Sequence, residues 1–222
     1  MLYLYHKDAS SSQITLVGDE HRYIFKVRRH KLEDTLYLRN LEDALLHTYI
    51  ITHIDKHSVI MELKESIALN VEAKKVLHIA WCIIDPKNVE KVLPSLNELG
   101  VDKITFIYCQ RSQKSFSLDF KRLKKILLNS SQQSGRSQMM TLEMSDSLEM
   151  FLKENPQAKI LHFSDNKLKE KTDIDTIVIG CEGGFSKEEI DLFDSNNTIG
   201  LDTPLVLKSE SAICAVASKI LL

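Results

Sequence analysis

From Val76 to Ile84 the chain reads VLHIAWCII, an apolar run broken only by His78. A strand covered on one face alternates apolar and polar residues. A strand covered on both faces reads as a continuous apolar run, and such strands belong to parallel sheets with helices on each side. Asp85 and Pro86 follow at once, a pair suited to cap a helix and to occupy its first turn. Val89, Val92, Leu93, Leu96 and Leu99 then recur at helical spacing until Gly100 supplies the stop. The stretch KITFIYC predicts the next strand, and LDFKRLKKILLNS the next helix, with Phe120, Leu123 and Leu127 turned inward and the lysines outward. AKILHF, TIVIG and NTIGL continue the strands, alternating with helices near Leu148, Glu188 and Ala212. Strands and helices in alternation give an α/β domain with a largely parallel sheet, whose ligands bind beyond the carboxyl ends of the strands.

The preceding residues, 1 to about 70, are organised differently. ITLVG, DTLYLRN, LLHTYIITHI and SVIMELKES are short β-branched or aromatic runs between polar turns, the pattern of a small β-barrel, with one helical turn near residues 21–29.

An apolar content of 43% and a charged content of 27% are those of an ordinary soluble protein. No apolar segment is long enough to span a bilayer, and MLYLYHKDASSSQ lacks a basic segment followed by an apolar core, so a cytoplasmic location is expected. Cys82, Cys109, Cys181 and Cys214 are widely separated, with no CxxC pair, and read as buried thiols rather than disulfides or zinc ligands; no metal site is expected. The net charge of −2 conceals two basic segments. HRYIFKVRRHKL, residues 21–32, carries Arg22, Lys26, Arg28, Arg29 and Lys31 with no acid, and Tyr23 and Phe25 lie among them. Residues 111–136 hold Arg111, Lys114, Lys121, Arg122, Lys124, Lys125 and Arg136 against Asp119 alone. One such run is ordinarily a solvated face; two, with interleaved aromatic and hydroxyl side chains, point to phosphate contacts.

IVIGCEGGFSKEEI, residues 177–190, joins an apolar strand to a helix opened by a capping box, Ser186 with Glu189. Glycines allow close backbone approach, and helix-start amides lack partners, so the turn can hold a polar ligand; a tight connection without a ligand is the other reading. Neither Gly-Lys-Ser/Thr nor GxGxxG is present, which argues against a nucleoside triphosphate or a Rossmann dinucleotide. The last helix, SESAICAVASKILL, is rich in small residues and suits either an internal core position or a face against a second copy.

Taken in order, these segments resemble the RsmE-type methyltransferases of the SPOUT superfamily, which methylate N3 of a uridine in 16S ribosomal RNA with S-adenosylmethionine. HRYIFKVRRHKLEDTLYL is similar to the family's His-anchored segment, with Val27-Arg28-Arg29 at its core. NELGVDKITFIYCQRSQKS matches the Glu-Leu-Gly-Val and Glu-Arg-Ser stretches, QQSGRSQMM the Gln-Cys-Gly-Arg segment, GCEGGFSKEE the Gly-Pro-Glu-Gly-Gly-Phe-Ser loop, and LVLKSESA the Ile-Leu-Arg-Thr-Glu-Thr-Ala segment. Cys181 stands where the family has proline, Lys208 and Leu205 where it has arginine, Thr203 where glycine is usual, and Tyr3 where arginine is common.

The resemblance implies a PUA-like β-barrel over residues 1–70 that binds RNA. It implies a SPOUT-type α/β methyltransferase domain over 71–222 with a carboxyl-terminal trefoil knot, and a homodimer acting on 16S rRNA or the assembled small subunit. It places S-adenosyl-L-methionine against Leu161, His162, Phe163, Gly180, Cys181, Glu182, Gly183, Gly184, Leu201, Thr203, Leu205, Val206 and Leu207. Arg22, Lys26, Arg28, Arg29, Lys31, Lys114 and Lys208 are the implied RNA contacts, and Arg111, Arg136 and Glu210 the implied catalytic groups. Uridine N3 is a poor nucleophile while protonated, so cations beside the base oxygens or a nearby base must favour its anion. Another RNA, such as transfer RNA, or a non-catalytic RNA-binding role on the same scaffold are the alternatives.

Overall fold

The computed structural model describes residues 2–169 and 173–222, with the side chains of Phe25 and Lys26 outside that description. Its contacts divide into two units, Met1–Glu72 with Ser131–Gln138, and Ala73–Ser130 with Met139–Leu222.

In the first unit, β1 (Leu4–Tyr5), β2 (Gln13–Val17), β3 (Thr35–Arg39), β4 (Leu45–Ile54) and β5 (Ser58–Ala68) form one mixed sheet in the order β1-β3-β4-β5-β2. Among the described residues only β1 and β3 of this sheet run parallel. Strand β2 alternates buried and exposed residues as a half-covered strand must, and Leu16, Leu38, Tyr49, Ile51, Val59 and Met61 meet inside. The buried Tyr49 hydroxyl donates to the carbonyls of Ala9 and Ser11 at 2.8 and 2.6 Å, and burial pushes its pKa up to about 12. Arg39, also buried, donates to the Leu69 carbonyl at 2.8 Å and lies over the Tyr3 ring. The expected helical turn is a short α1 (Gly18–Arg22) continued by a π-helical segment, Tyr23–Val27. Residues 131–138 complete this unit: the Gln132 carbonyl accepts from Leu2 N at 2.8 Å, Gln132 Oε1 accepts from Tyr5 N at 2.8 Å, and Ser137 Oγ accepts from Val71 N at 2.7 Å.

The described residues of the second unit form six strands: β6 (His78–Cys82), β7 (Lys103–Ile107), β8 (Thr141–Ser145), β9 (Lys159–Leu161), β10 (Thr176–Ile179) and β11 (Thr198–Ile199). All pair in parallel, in the order β11-β9-β10-β6-β7-β8. The connecting helices are α2 (Pro86–Leu99), α3 (Phe120–Ser134), α4 (Leu148–Glu154), α5 (Lys187–Ile190) and α6 (Ser209–Leu221). Asp85 caps α2 by accepting from Lys87 N at 2.8 Å, and Gly100 ends it at a φ of 98°. A side chain at Gly100 would place its Cβ 2.5 Å from that of Ala73, so glycine is required twice over.

Two expectations need correction. Strand β8 has no counterpart in the sequence reading, because TLEMS lies at the sheet edge with no fully buried position and so lacks the apolar run of its neighbours. Cys82 and Cys109 are not thiols but a disulfide. They are 27 residues apart in sequence, yet Cys82 pairs in register with Ile107 and the two Cα atoms stand 5.6 Å apart, within disulfide reach. Cys181 and Cys214 remain free.

His78, at the start of β6, meets Phe151 edge-on at 5.4 Å and shares a 2.8 Å hydrogen bond with Thr105 Oγ1. Burial, aided by the charge of Lys103, lowers its pKa from 6.5 to about 4. Between those values the unfolded chain binds the proton and the folded chain does not, so this stability is complete above pH 6.5 and is lost as pH falls towards 4. We expect the fall in Tm from pH 6.5 to 4, followed by circular dichroism, to be smaller in His78→Gln; an equal fall would remove His78 as a cause.

Candidate functional site

Strands β9, β10 and β11 are adjacent, and their carboxyl ends open on a cavity of about 550 Å³. Three chain segments wall it. The first leaves β9: His162 N donates to the Ile199 carbonyl at 2.9 Å, and residues 164–168 then wrap closely around Gly200. Gly200 N donates to the Asn166 carbonyl at 2.9 Å, while Leu168 N donates to the Gly200 carbonyl at 2.8 Å. A Cβ on Gly200 would lie 2.5 Å from the Ser164 carbonyl oxygen, which explains the glycine. The second segment is the turn after β10, where Gly184 adopts a φ of 67° and its N–H donates to the Cys181 carbonyl at 2.9 Å. The third runs from Leu201 to Leu207 into α6.

Polar groups hold these walls. Ser186 Oγ accepts from Glu189 N at 3.2 Å, and Glu189 Oε2 accepts from Ser186 N at 2.9 Å, forming the expected capping box. The other oxygen of the buried Glu189 carboxylate accepts from Gln110 N at 2.7 Å. Beside it, Arg111 Nη1 donates to the Gly183 carbonyl at 2.8 Å, and Gly183 leaves room for that side chain because a Cβ would stand 3.2 Å from Arg111 Cβ. The buried Trp81 Nε1–H donates to Ser209 Oγ at 2.8 Å, and Ser209 in turn donates to the Gly180 carbonyl. Glu210, next along α6, has Oε2 buried without a hydrogen-bond partner among the described residues, an unmet acceptor beside the cavity-lining Ser209. His162 is shifted towards its neutral form by burial. Among the described residues no group of three or more His, Cys, Asp or Glu is placed to hold a metal ion, and no helix is long and apolar enough to cross a membrane.

The RNA methyltransferase domain model matches residues 71–221. Ribosomal RNA small subunit methyltransferase E of Helicobacter pylori is 36% identical over 222 residues, 98% of each chain. This chain belongs to the ribosomal RNA small subunit methyltransferase E family. The Rickettsia conorii member is 27% identical over 97% of this chain and 93% of its own. Among solved structures, a Legionella pneumophila methyltransferase in complex with the cofactor SAM superposes with a TM-score of 0.80 at 25% identity, covering 99% of this chain and 96% of that one. The Neisseria gonorrhoeae methyltransferase E bound to S-adenosyl methionine has the same fold, at a TM-score of 0.78 and 19% identity over 98% and 95% of the two chains.

Leu161, His162, Phe163, Gly180, Cys181, Glu182, Gly183, Gly184, Leu201, Thr203, Leu205, Val206 and Leu207 all line the cavity. Ser164, Asp165, Lys167, Ile179, Phe185, Ser209 and Ala212 line it too and were not expected. Ser209 and Ala212 lie inside LVLKSESA, where the spacing of the motif itself was the available signal. Arg111, Lys114 and Lys208 are exposed on the second unit; Arg136 is buried in the first. Arg22, Arg28, Arg29 and Lys31 are exposed on the first unit, and Lys26 falls outside the described residues. Arg28 Nε donates to the Tyr23 hydroxyl at 3.0 Å, its guanidinium lying over that ring, and Arg29 takes a left-handed φ of 60° where the helical segment ends.

Proposed function

We propose that this protein transfers a methyl group from S-adenosyl-L-methionine to N3 of a uridine in 16S ribosomal RNA. The observation that carries the reading is the glycine-walled cavity, whose lining residue Gly183 accepts a hydrogen bond from Arg111. The residues fit the group. Gly184 has open space where a Cβ would stand, which leaves its backbone open to close approach, while Gly183 and Gly200 let the walls pack against Arg111 and the chain at 162–164. Leu161, Phe163, Leu205, Val206 and Leu207 offer apolar surface for an adenine ring, and Glu182 and Asp165 offer carboxylates for an ammonium group and ribose hydroxyls. When bound, the sulfonium supplies an already activated methyl group, so the protein has to align the nucleophile, exclude water and stabilise the uridine anion.

Arg111 suits a base oxygen on which that negative charge develops, whereas Arg136 is buried within the first unit. Glu210 Oε2 is an acceptor suited to the N3–H, and would carry its proton away as the new bond forms. Exposed Arg22, Arg28, Arg29 and Lys31 suit rRNA phosphates, as do Lys114 and Lys208. On this reading residues 1–70 are a PUA-like barrel that holds RNA, and 71–222 a SPOUT domain whose carboxyl end is a trefoil knot. The enzyme is a cytoplasmic homodimer; Leu205 and Val206, 69% and 79% exposed beside the cavity, support a covering second copy.

Nucleoside mass spectrometry tests the reaction and the substrate together. Small subunits lacking the modification, incubated with the protein and S-adenosylmethionine, are expected to gain 3-methyluridine at one site. A methyl group found instead on transfer RNA, or cofactor binding with no transfer to any RNA, would refute it.

A further inference from the structure

Helix α3 carries a charge pattern that the cavity does not use. Its inner side is taken up by the core through the buried Leu123 and Leu127, with Phe120 half-buried. Lys121, Arg122, Lys124 and Lys125 are exposed in its first two turns, and FKRLKKILLNSSQQS contains no acid. Lys121 stands three and four residues before Lys124 and Lys125, spacings at which like charges repel across a helix surface. The first turn is also the positive end of the helix dipole, which favours carboxylates over lysines. Asp119, the neighbouring acid, is committed to capping: its Oδ1 accepts from Arg122 N at 3.1 Å. Arg122 pairs with Glu90 at 2.7 Å, whereas Lys121, Lys124 and Lys125 make no ion pair among the described residues. The pattern therefore opposes the helix's own stability with no structural return, and such local violations concentrate at functional positions.

Topology gives the place. The connection from β7 to α3 leaves the carboxyl edge of the parallel sheet, the edge on which the cavity opens, and it carries Arg111 against Gly183 and Lys114 over the Tyr108 ring. At a rise of 1.5 Å per residue, Lys121 to Lys125 lie within roughly 8 Å of the helix start along its axis. We propose that the first two turns of α3 are a second RNA-docking surface, on which Lys121, Lys124 and Lys125 hold backbone phosphates beside the target nucleotide. Lysines act there as point charges that position the strand without reading its sequence. The inference rests on the reading that the protein acts on RNA.

The test compares the full chain with the triple variant Lys121→Gln/Lys124→Gln/Lys125→Gln. The control is Lys91→Gln/Lys153→Gln, which removes exposed charges from α2 and α4. Affinity for 16S rRNA is measured across a salt series, and methyl transfer to unmodified small subunits alongside. The triple variant is expected to lose about 2–3 from the slope of log affinity against log salt, since each phosphate contact contributes roughly 0.7–0.9. Its KM for subunits should rise about tenfold or more, with turnover at saturating subunits, cofactor affinity and Tm retained. A slope and KM matching the control would overturn the proposal, leaving a solvated face or a surface for an acidic protein. A native chain that binds rRNA but transfers no methyl group refutes the functional reading alone, because the salt slopes still decide the role of α3.

Discussion

Arg111→Ala should lower kcat on saturating small subunits by about 10²–10³-fold, the usual cost of removing one charged or hydrogen-bonding group from the place where negative charge develops. One guanidinium nitrogen is already engaged by the Gly183 carbonyl, so the side chain is held against a cavity-lining residue before any substrate arrives. Preorganisation of this kind acts on the transition state more than on binding, and KM for the subunit should move far less than kcat. Arg111→Lys separates the two functions of the residue. A lysine keeps the charge but has no planar fork with which to hold the carbonyl and face a base oxygen at once, so recovery should be partial. Turnover within threefold of the native enzyme in Arg111→Ala would assign the residue to phosphate binding alone.

The second large effect is expected at Gly200. In Gly200→Ala the new Cβ would lie 2.5 Å from the Ser164 carbonyl oxygen, 3.0 Å from Ser164 N and 3.3 Å from the His162 carbonyl oxygen. All three are backbone atoms, so relief requires the chain at 162–164 to move, and that chain is a wall of the cavity. Overpacking of this kind costs about 1–3 kcal/mol. Cofactor affinity, measured by calorimetry, should fall at least tenfold, and Tm should drop by several degrees. Gly184→Ala gives the contrast: open space surrounds its Cβ position but φ is 67°, so the loss there is conformational strain of roughly 1–2 kcal/mol without a collision. Native cofactor affinity in Gly200→Ala would show that the wall yields.

Features that depend on near neighbours in sequence were readable before the structure. The apolar run at 76–84, the Asp85 cap and the Gly100 stop are local signals, and β6 and α2 follow them. The glycine turn and its capping box were equally plain, because Ser186 and Glu189 need only each other. Contacts across long separations were not. Nothing in TLEMS announces an edge strand, whose hydrogen bonds come from β7 rather than from its own composition. Ser209 has its role only because Trp81, 128 residues earlier, points an indole N–H at it. The Cys82–Cys109 pair depends likewise on the register of β6 with β7. Among the site residues, the cavity lining was legible through motifs in a known order. Ser164, Asp165 and Lys167 were missed because they lie in a connection whose closeness to Gly200 only the fold creates.

The enclosure of residues 131–138 within the first unit has a consequence for the order of events during synthesis. The strands of that unit leave the ribosome long before the segment that supplies Gln132 to Leu2 and Tyr5, Ser137 to Val71, and the Arg136 carbonyl to the Tyr3 hydroxyl at 2.9 Å. Until then these donors must be met by water, and the nascent sheet waits with part of its surface unfinished. A fragment cut at residue 72 would stay in that waiting state. Anyone wishing to graft this module onto another protein would have to carry the later segment with it, because the module is built from two separate stretches of chain.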